Sequence, residues 1–203
     1  MEASKCIEEK IKKIASEIEP ELIQIRHTLH QHPELGIDLP QTHDIIAGEL
    51  KKIPGLEITE HVAGGSVIVA LMHGKKDTGK NILLRADIDA LPIEEPGEYE
   101  YKSQNHGQMH ACGHDGHATW IIGAAKILSE LRDEFGGTVK FVFQPGEEVG
   151  KGADTLIRED KVLENPKVDM AFAAHGWPSV ESGKIGIVRR YAFGCVGGFK
   201  IKI

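Results

Sequence analysis

Thr138-Val-Lys-Phe-Val-Phe-Gln-Pro-Gly-Glu-Glu148 runs from an almost continuously apolar stretch straight into two adjacent carboxylates. Such a run predicts a strand over Thr138–Phe143 that is covered on both faces, as in a sheet layered between helices. Pro145-Gly146 then forces a turn, setting Glu147 and Glu148 at the carboxyl end of the strand, where open α/β sheets present their ligands. Two neighbouring carboxylates there have different directions available: one can bind a metal while the other serves as general base. A solvated acidic turn is the plain alternative, and the strand in front of the pair brings the two readings level.

The same architecture recurs on both sides of this stretch. Asn81–Ala86 reads as a strand, followed by Asp87 and Asp89; Val168–Ala174 reads as another, followed by His175 in His175-Gly-Trp-Pro178. A long helix is predicted from about Gly116 to Glu134, with Ile121, Ala124, Ala125, Leu128 and Leu131 on one face and Gly136-Gly137 as its stop. Just before it stands His110-Ala-Cys-Gly-His-Asp-Gly-His117. With His106, four of the 11 histidines fall within twelve residues, interleaved with Cys112 and Asp115. One histidine in such a loop would be read as solvated. Four, with a thiol and with Gly113 and Gly116 to allow a tight backbone, favour a zinc-class divalent ion. No second cysteine pair follows at finger spacing, which disfavours a structural zinc finger.

Elsewhere, Ile7, Ile11, Ile14 and Ile18 mark an amphipathic helix, which Glu19-Pro20 is expected to break before a second helix through about His30. A third helix is expected over Gln41–Lys52. Ser66–Leu71 is expected to pair with Asn81–Ala86 as a hairpin, Gly152–Arg158 to form a short helix, and Lys184–Val188 a strand. Gly194–Gly198 reads as a hinge, and Phe199-Lys-Ile-Lys-Ile203 alternates like the first strand of something further. The order predicts an α/β layered sheet with some antiparallel pairing.

Composition narrows the function classes. The chain has 203 residues, 24 Lys+Arg against 31 Asp+Glu and a net charge of −7, which argues against binding nucleic-acid phosphates or anionic membranes. Aromatics at 5% argue against a stacking platform for single strands, and no apolar run is long enough to span a bilayer. Three scattered cysteines make no disulfide framework, so a cytoplasmic location is the default, with Cys6 and Cys195 expected to be structural.

Taken together, Arg85-Ala-Asp-Ile-Asp-Ala-Leu-Pro-Ile-Glu-Glu95, His110-Ala-Cys-Gly-His-Asp-Gly-His117, Phe143-Gln-Pro-Gly-Glu-Glu148 and His175-Gly-Trp-Pro178 resemble the aminoacylase-type metallopeptidase family. The resemblance is to its amidohydrolase branch of hippurate hydrolases, N-acyl-amino-acid amidohydrolases and auxin-conjugate hydrolases. Arg26-His-Thr-Leu-His-Gln-His-Pro-Glu-Leu-Gly36 is similar to that branch's N-terminal signature. The resemblance implies a zinc-peptidase-like layered mixed sheet flanked by helices. It implies Cys112, His114, Glu148 and His175 as metal ligands for one or two ions, zinc or manganese, with Glu147 as general base to a metal-bound water and Asp89 as an acidic support of the site. The substrate implied is a small N-acylated amino acid, and a homodimer is possible for the full-length protein, since relatives commonly dimerise through a satellite domain. Residues 1–193 would then be the first part of a catalytic domain, with 194–203 the hinge and opening strand of a truncated satellite domain. The alternatives are an inactive metal-binding fragment, an N-acetyl-diaminopimelate-type deacetylase or a small-peptide carboxypeptidase. A cysteine hydrolase using Cys112 fits worst, because it leaves Glu147 and Glu148 without a task.

Overall fold

The strand predicted at Thr138–Phe143 is β4 (Thr138–Gln144), at the centre of a five-stranded sheet and with every one of its residues buried. The computed structural model describes residues 2–62 and 65–189. In chain order the elements are α1 (Glu2–Gln31), α2 (Pro40–Leu50), β1 (Leu56–Val62), β2 (Val67–His73), β3 (Ile82–Asp87), α3 (His114–Glu130), β4, α4 (Gly152–Arg158) and β5 (Met170–Ala173). A 3-10 turn at Arg132–Glu134 separates α3 from β4, so the long helix starts and ends earlier than its apolar face implied. The sheet order is β1-β2-β4-β3-β5. β1/β2 and β2/β4 are antiparallel, whereas β4/β3 and β3/β5 are parallel.

Alternation along β4 builds two cores. Phe141 and Phe143 face α1, α2 and α3, joining Leu29, Ile46, Leu50, Ile68, Met72 and Ile122 in the main cluster. Val142 faces the other way, meeting Val67, Leu83, Leu156 and Val162 beside α4. Lys140 shares that second face, and its buried ammonium donates to the carbonyls of Val162, Glu164 and Pro166 at 2.7, 2.8 and 3.3 Å. The one charge in the apolar run thus satisfies backbone acceptors in the segment after α4. The helices, sheet and short helix form three layers, the α/β architecture expected. Among the described residues, no helix is long and apolar enough to cross a membrane.

Several expectations are corrected. β2 and β3 are not a hairpin: β4 lies between them, pairing both. Gly79 and Gly137 make this possible, since a Cβ on Gly79 would lie 2.0 Å from the Gly136 carbonyl carbon and one on Gly137 2.3 Å from the Lys80 oxygen. The polar segment that resembled a hairpin turn is where β4 threads between its neighbours. Pro20 does not break α1, which is one helix of 30 residues. The carbonyl that Pro20 leaves unpaired belongs to Ser16, and both residues are exposed, so water can satisfy it while Leu22, Ile25 and Leu29 hold the helix to the core. β5 is shorter than the expected Val168–Ala174 strand, and its four residues are exposed at the sheet edge. Lys184–Val188 forms no strand, with Ile185 and Ile187 pointing into solvent. β1, an edge strand of alternating exposure, was not foreseen. Cys6 is exposed on α1 rather than buried as a structural residue; Cys195, the hinge at Gly194–Gly198 and the strand at Phe199–Ile203 lie outside the described residues.

Candidate metal centre

Parallel register decides where the chemistry gathers. β3 and β4 end opposite one another, at Asp87 and Gln144, and β5 lies on the other side of β3 in the same direction. Their carboxyl ends therefore deliver Asp87 and Asp89, Glu147 and Glu148, and His175 to one edge. α3 meets that edge with its first turn. Gly113, at φ +84°, takes the left-handed conformation that other residues avoid, and the backbone swings from Cys112 directly into His114.

His114 is the hub. Its ligand atoms fall within 4.8 Å of those of Cys112 and His175, of Glu147 and Glu148, and of Asp87 and His117, in three overlapping groups. Cys112 Sγ lies 3.5 Å from His175 Nε2, and His114 Nε2 lies 3.7 Å from Glu148 Oε1 and 3.6 Å from Asp87 Oδ2. Neither ring nitrogen of the buried His114 has a hydrogen-bond partner, and neither does Glu148 Oε1. Orphaned buried donors converging on one point are what a cation would satisfy, and a thiol, two imidazoles and a carboxylate suit zinc-class ions.

Two devices hold this arrangement. Both oxygens of the buried Asp89 accept backbone N–H groups, from Glu147 at 3.1 Å and from Glu148 at 3.0 Å, while Oδ1 stands 3.5 Å from His114 Nδ1. Asp89 thus anchors the turn carrying both glutamates. His117 has both ring nitrogens engaged: the Gly176 N–H donates to Nε2 at 2.9 Å, so Nδ1 carries the proton and donates to Asp87 Oδ1 at 2.6 Å. Through Gly176 the Asp87–His117 pair fixes the segment that carries His175.

The electrostatics suit a bound cation. Burial and the neighbouring Glu148, Asp87 and Glu147 push the Cys112 thiol up to about 11. Burial also raises the Glu148 carboxyl, with the Glu147 charge adding to it. Burial alone would pull His114 down, but Asp89, Asp87 and Glu148 outweigh it and raise the imidazole. Burial works against the Asp87 charge as well, yet His117, His114 and Arg85 hold that carboxyl at about 2. A thiol in this setting would become thiolate only with a cation beside it.

The structure brings Cys112, His114, Glu147, Glu148, His175 and Asp89 together. It does not bring in the whole histidine cluster. His106 lies in solvent, 3.2 Å from Glu94, and His110 is buried in none of the ligand groups. Sequence reasoning missed the pairing of Asp87 with His117, which follows once β3 and α3 are placed side by side. It also missed a buried network in which His30 bridges Asp115 at 2.8 Å and Glu95 at 2.7 Å, with Arg26 on Asp115. No spacing signal joins residues that far apart in the chain. Because Asp89 positions ligands without facing the centre itself, Asp89→Asn is expected to lower metal affinity about 10- to 100-fold with the fold retained. Competition against a chromophoric chelator reads this; unchanged affinity would reduce Asp89 to a turn-former.

Comparison with known proteins gives a consistent picture. A family model described as peptidase family M20/M25/M40 matches residues 83–197. The N-acyl-L-amino acid amidohydrolase of Geobacillus stearothermophilus is 38% identical over 180 residues, 89% of this chain and 47% of that protein. Thermostable carboxypeptidase 2 of Saccharolobus solfataricus is 38% identical over 96% of this chain and 49% of its own length. Among solved structures, the YXEP protein of Bacillus subtilis, described as a dinuclear metal binding peptidase from the M20 family, superposes with a TM-score of 0.73 at 39% identity. The match covers 83% of this chain and 44% of that one. The chain spans about half the length of the curated relatives it matches.

Proposed function

The chain belongs to peptidase family M20/M25/M40, and on that premise we propose that it carries most of the metal centre of an amidohydrolase acting on small N-acylated amino acids. The observation that carries this is His114, buried with both ring nitrogens unpartnered between a Cys112/His175 pair and a Glu147/Glu148 pair. Cys112, His114, Glu148 and His175 would hold one or two divalent ions; the thiolate and imidazoles suit zinc, while manganese rests on the family resemblance alone. The dinuclear description of the similar Bacillus protein supports two.

A bound divalent ion acidifies water and polarises an amide carbonyl. The chain's own residues do the rest. Glu147 is exposed while Glu148 is turned inward, so Glu147 can take a proton from the attacking water and pass it to the leaving amine. Asp89 fixes the backbone from which both glutamates project, and Asp87, through His117, fixes that of His175. The likeness to an N-acyl-L-amino acid amidohydrolase supports an acyl group on one side of the scissile amide and an amino acid on the other. The likeness to a carboxypeptidase favours one second reading, a short peptide cleaved before its last residue.

The test uses the protein as expressed from its natural gene. Release of the amino acid from N-acetyl and N-benzoyl substrates is expected to vanish on chelation and return with Mn²⁺ or Zn²⁺. Hydrolysis that survives chelation and disappears only in Cys112→Ser would assign the chemistry to a cysteine nucleophile instead. Preference for dipeptides over acyl amino acids would select the carboxypeptidase reading.

A further inference from the structure

A second cluster of metal-ligating side chains lies away from this centre, where α2 packs on the edge strand β1. His43 projects from α2 and is buried to 1% exposure; its Nδ1 lies 3.3 Å from Asp44 Oδ1, and its Nε2 has no hydrogen-bond partner. Facing that nitrogen is Glu60 Oε2 at 3.7 Å, while Oε1 of the same carboxylate is taken by Lys51 Nζ at 2.7 Å. The ring of the exposed His61 stacks on His43, with centroids 4.1 Å apart and planes at 19°, so His61 has to turn out of this stack to aim a nitrogen at an ion shared with His43. One ligand atom from each of the three lies within 4.8 Å of the others.

The backbone is bent to make this possible. Neighbours in a regular strand point to opposite faces, so Glu60 and His61 should not share a partner. The β1/β2 register, however, steps from Glu60↔Ile68 to Val62↔Val67, leaving His61 as the extra residue of a bulge. His61 sits there at φ +54°, a conformation uncommon for a residue with a side chain. Bulges re-aim side chains, and this one turns His61 onto the side already occupied by Glu60 and His43. Two atoms each about 2.1 Å from one zinc ion stand about 3.4 Å apart at the tetrahedral angle, close to the 3.7 Å found between His43 and Glu60.

We propose that His43, Glu60 and His61 form a further divalent-metal site of the zinc class, which clips the edge strand β1 to α2. Two imidazoles and one carboxylate with a coordination position left open match the ligand set that zinc accepts. The buried, partnerless Nε2 of His43 sets this cluster apart from a chance meeting of surface groups. The site shares no residue with the centre around His114, so it stands or falls separately from the proposed activity.

Bound Zn²⁺ per chain, measured by elemental analysis after equilibrium dialysis against micromolar Zn²⁺, tests it. His61→Gly is the cleanest variant, because glycine adopts positive φ freely and keeps the bulge while removing only the imidazole. Glu60→Gln provides a second variant that leaves the backbone alone. Each is expected to bind one equivalent fewer than the unaltered protein, with the remaining zinc lost only when His114→Ala is added. Equal stoichiometry in the unaltered protein and both variants would overturn the site and leave the stacked histidines as packing. Loss of all zinc in His61→Gly would overturn its independence from the centre.

Discussion

Glu147→Gln is expected to lower turnover by about 10²- to 10⁴-fold, the range that a positioned proton-transfer group contributes, while leaving the metal in place. The substitution keeps the shape and removes only the ability to take a proton. Nothing else in the centre can replace it. His114 and Cys112 would be taken up as ligands, Asp89 is occupied by two backbone N–H groups, and Asp87 is paired with His117. Glu148→Gln should behave differently, because Glu148 Oε1 is the partnerless oxygen 3.7 Å from His114 Nε2. Losing that charge should release metal first and activity in consequence. Measuring kcat and bound metal on both variants separates the roles. If Glu147→Gln loses its metal while Glu148→Gln keeps it, the two residues have been assigned the wrong way round.

What was legible in the sequence was local. Each proposed ligand follows a short apolar run or stands at or just before the start of a helix, and the strands Thr138–Gln144 and Ile82–Asp87 carry their neighbouring carboxylates to the same edge because both parallel strands end there. The order of strands was not legible. A polar segment between Ser66–Leu71 and Asn81–Ala86 reads equally well as a hairpin turn, and only the bare-backbone contact of Gly79 and Gly137 shows a third strand inserted between them. Pro20 misled for the opposite reason: a local breaker was overridden by packing on α3, at a position where water can take over the lost bond. Histidine density overstated the centre, since periodicity cannot distinguish His114, which faces the ligands, from His106 in solvent. The cluster at His43, Glu60 and His61 left no motif at all, because it depends on a bulge joining residues from a helix and a strand.

His110 illustrates the same gap and has a measurable consequence. It opens the motif that reads as a metal loop, yet it is buried with both ring nitrogens unpartnered, about 6.4 Å from the His30 ring. Burial, with the nearby His30 and His114 charges against it, pulls the imidazole from 6.5 to about 4, and Asp115 and Asp89 only partly oppose this. The folded chain therefore keeps His110 neutral where the unfolded chain would protonate it. Its contribution to stability is complete above pH 6.5 and is lost as pH falls from 6.5 to about 4. At pH 5 the loss amounts to about 2 kcal/mol. His30 and His114 have raised values, so their contributions are fully present below 6.5 and flat across this window. The raised Glu148 carboxyl acts in the opposite sense as it gains its proton, so the comparison must be made against a variant rather than read from one curve. Urea midpoints of the metal-free protein at pH 7, 6 and 5 should fall more steeply for the unaltered chain than for His110→Gln, whose amide gains no proton. Parallel slopes would show that His110 already has a protonated or solvated alternative in the folded state. A steeper slope in the unaltered chain would make this motif histidine a buried neutral wedge behind the ligand loop, with metal binding left to Cys112 and His114 beside it.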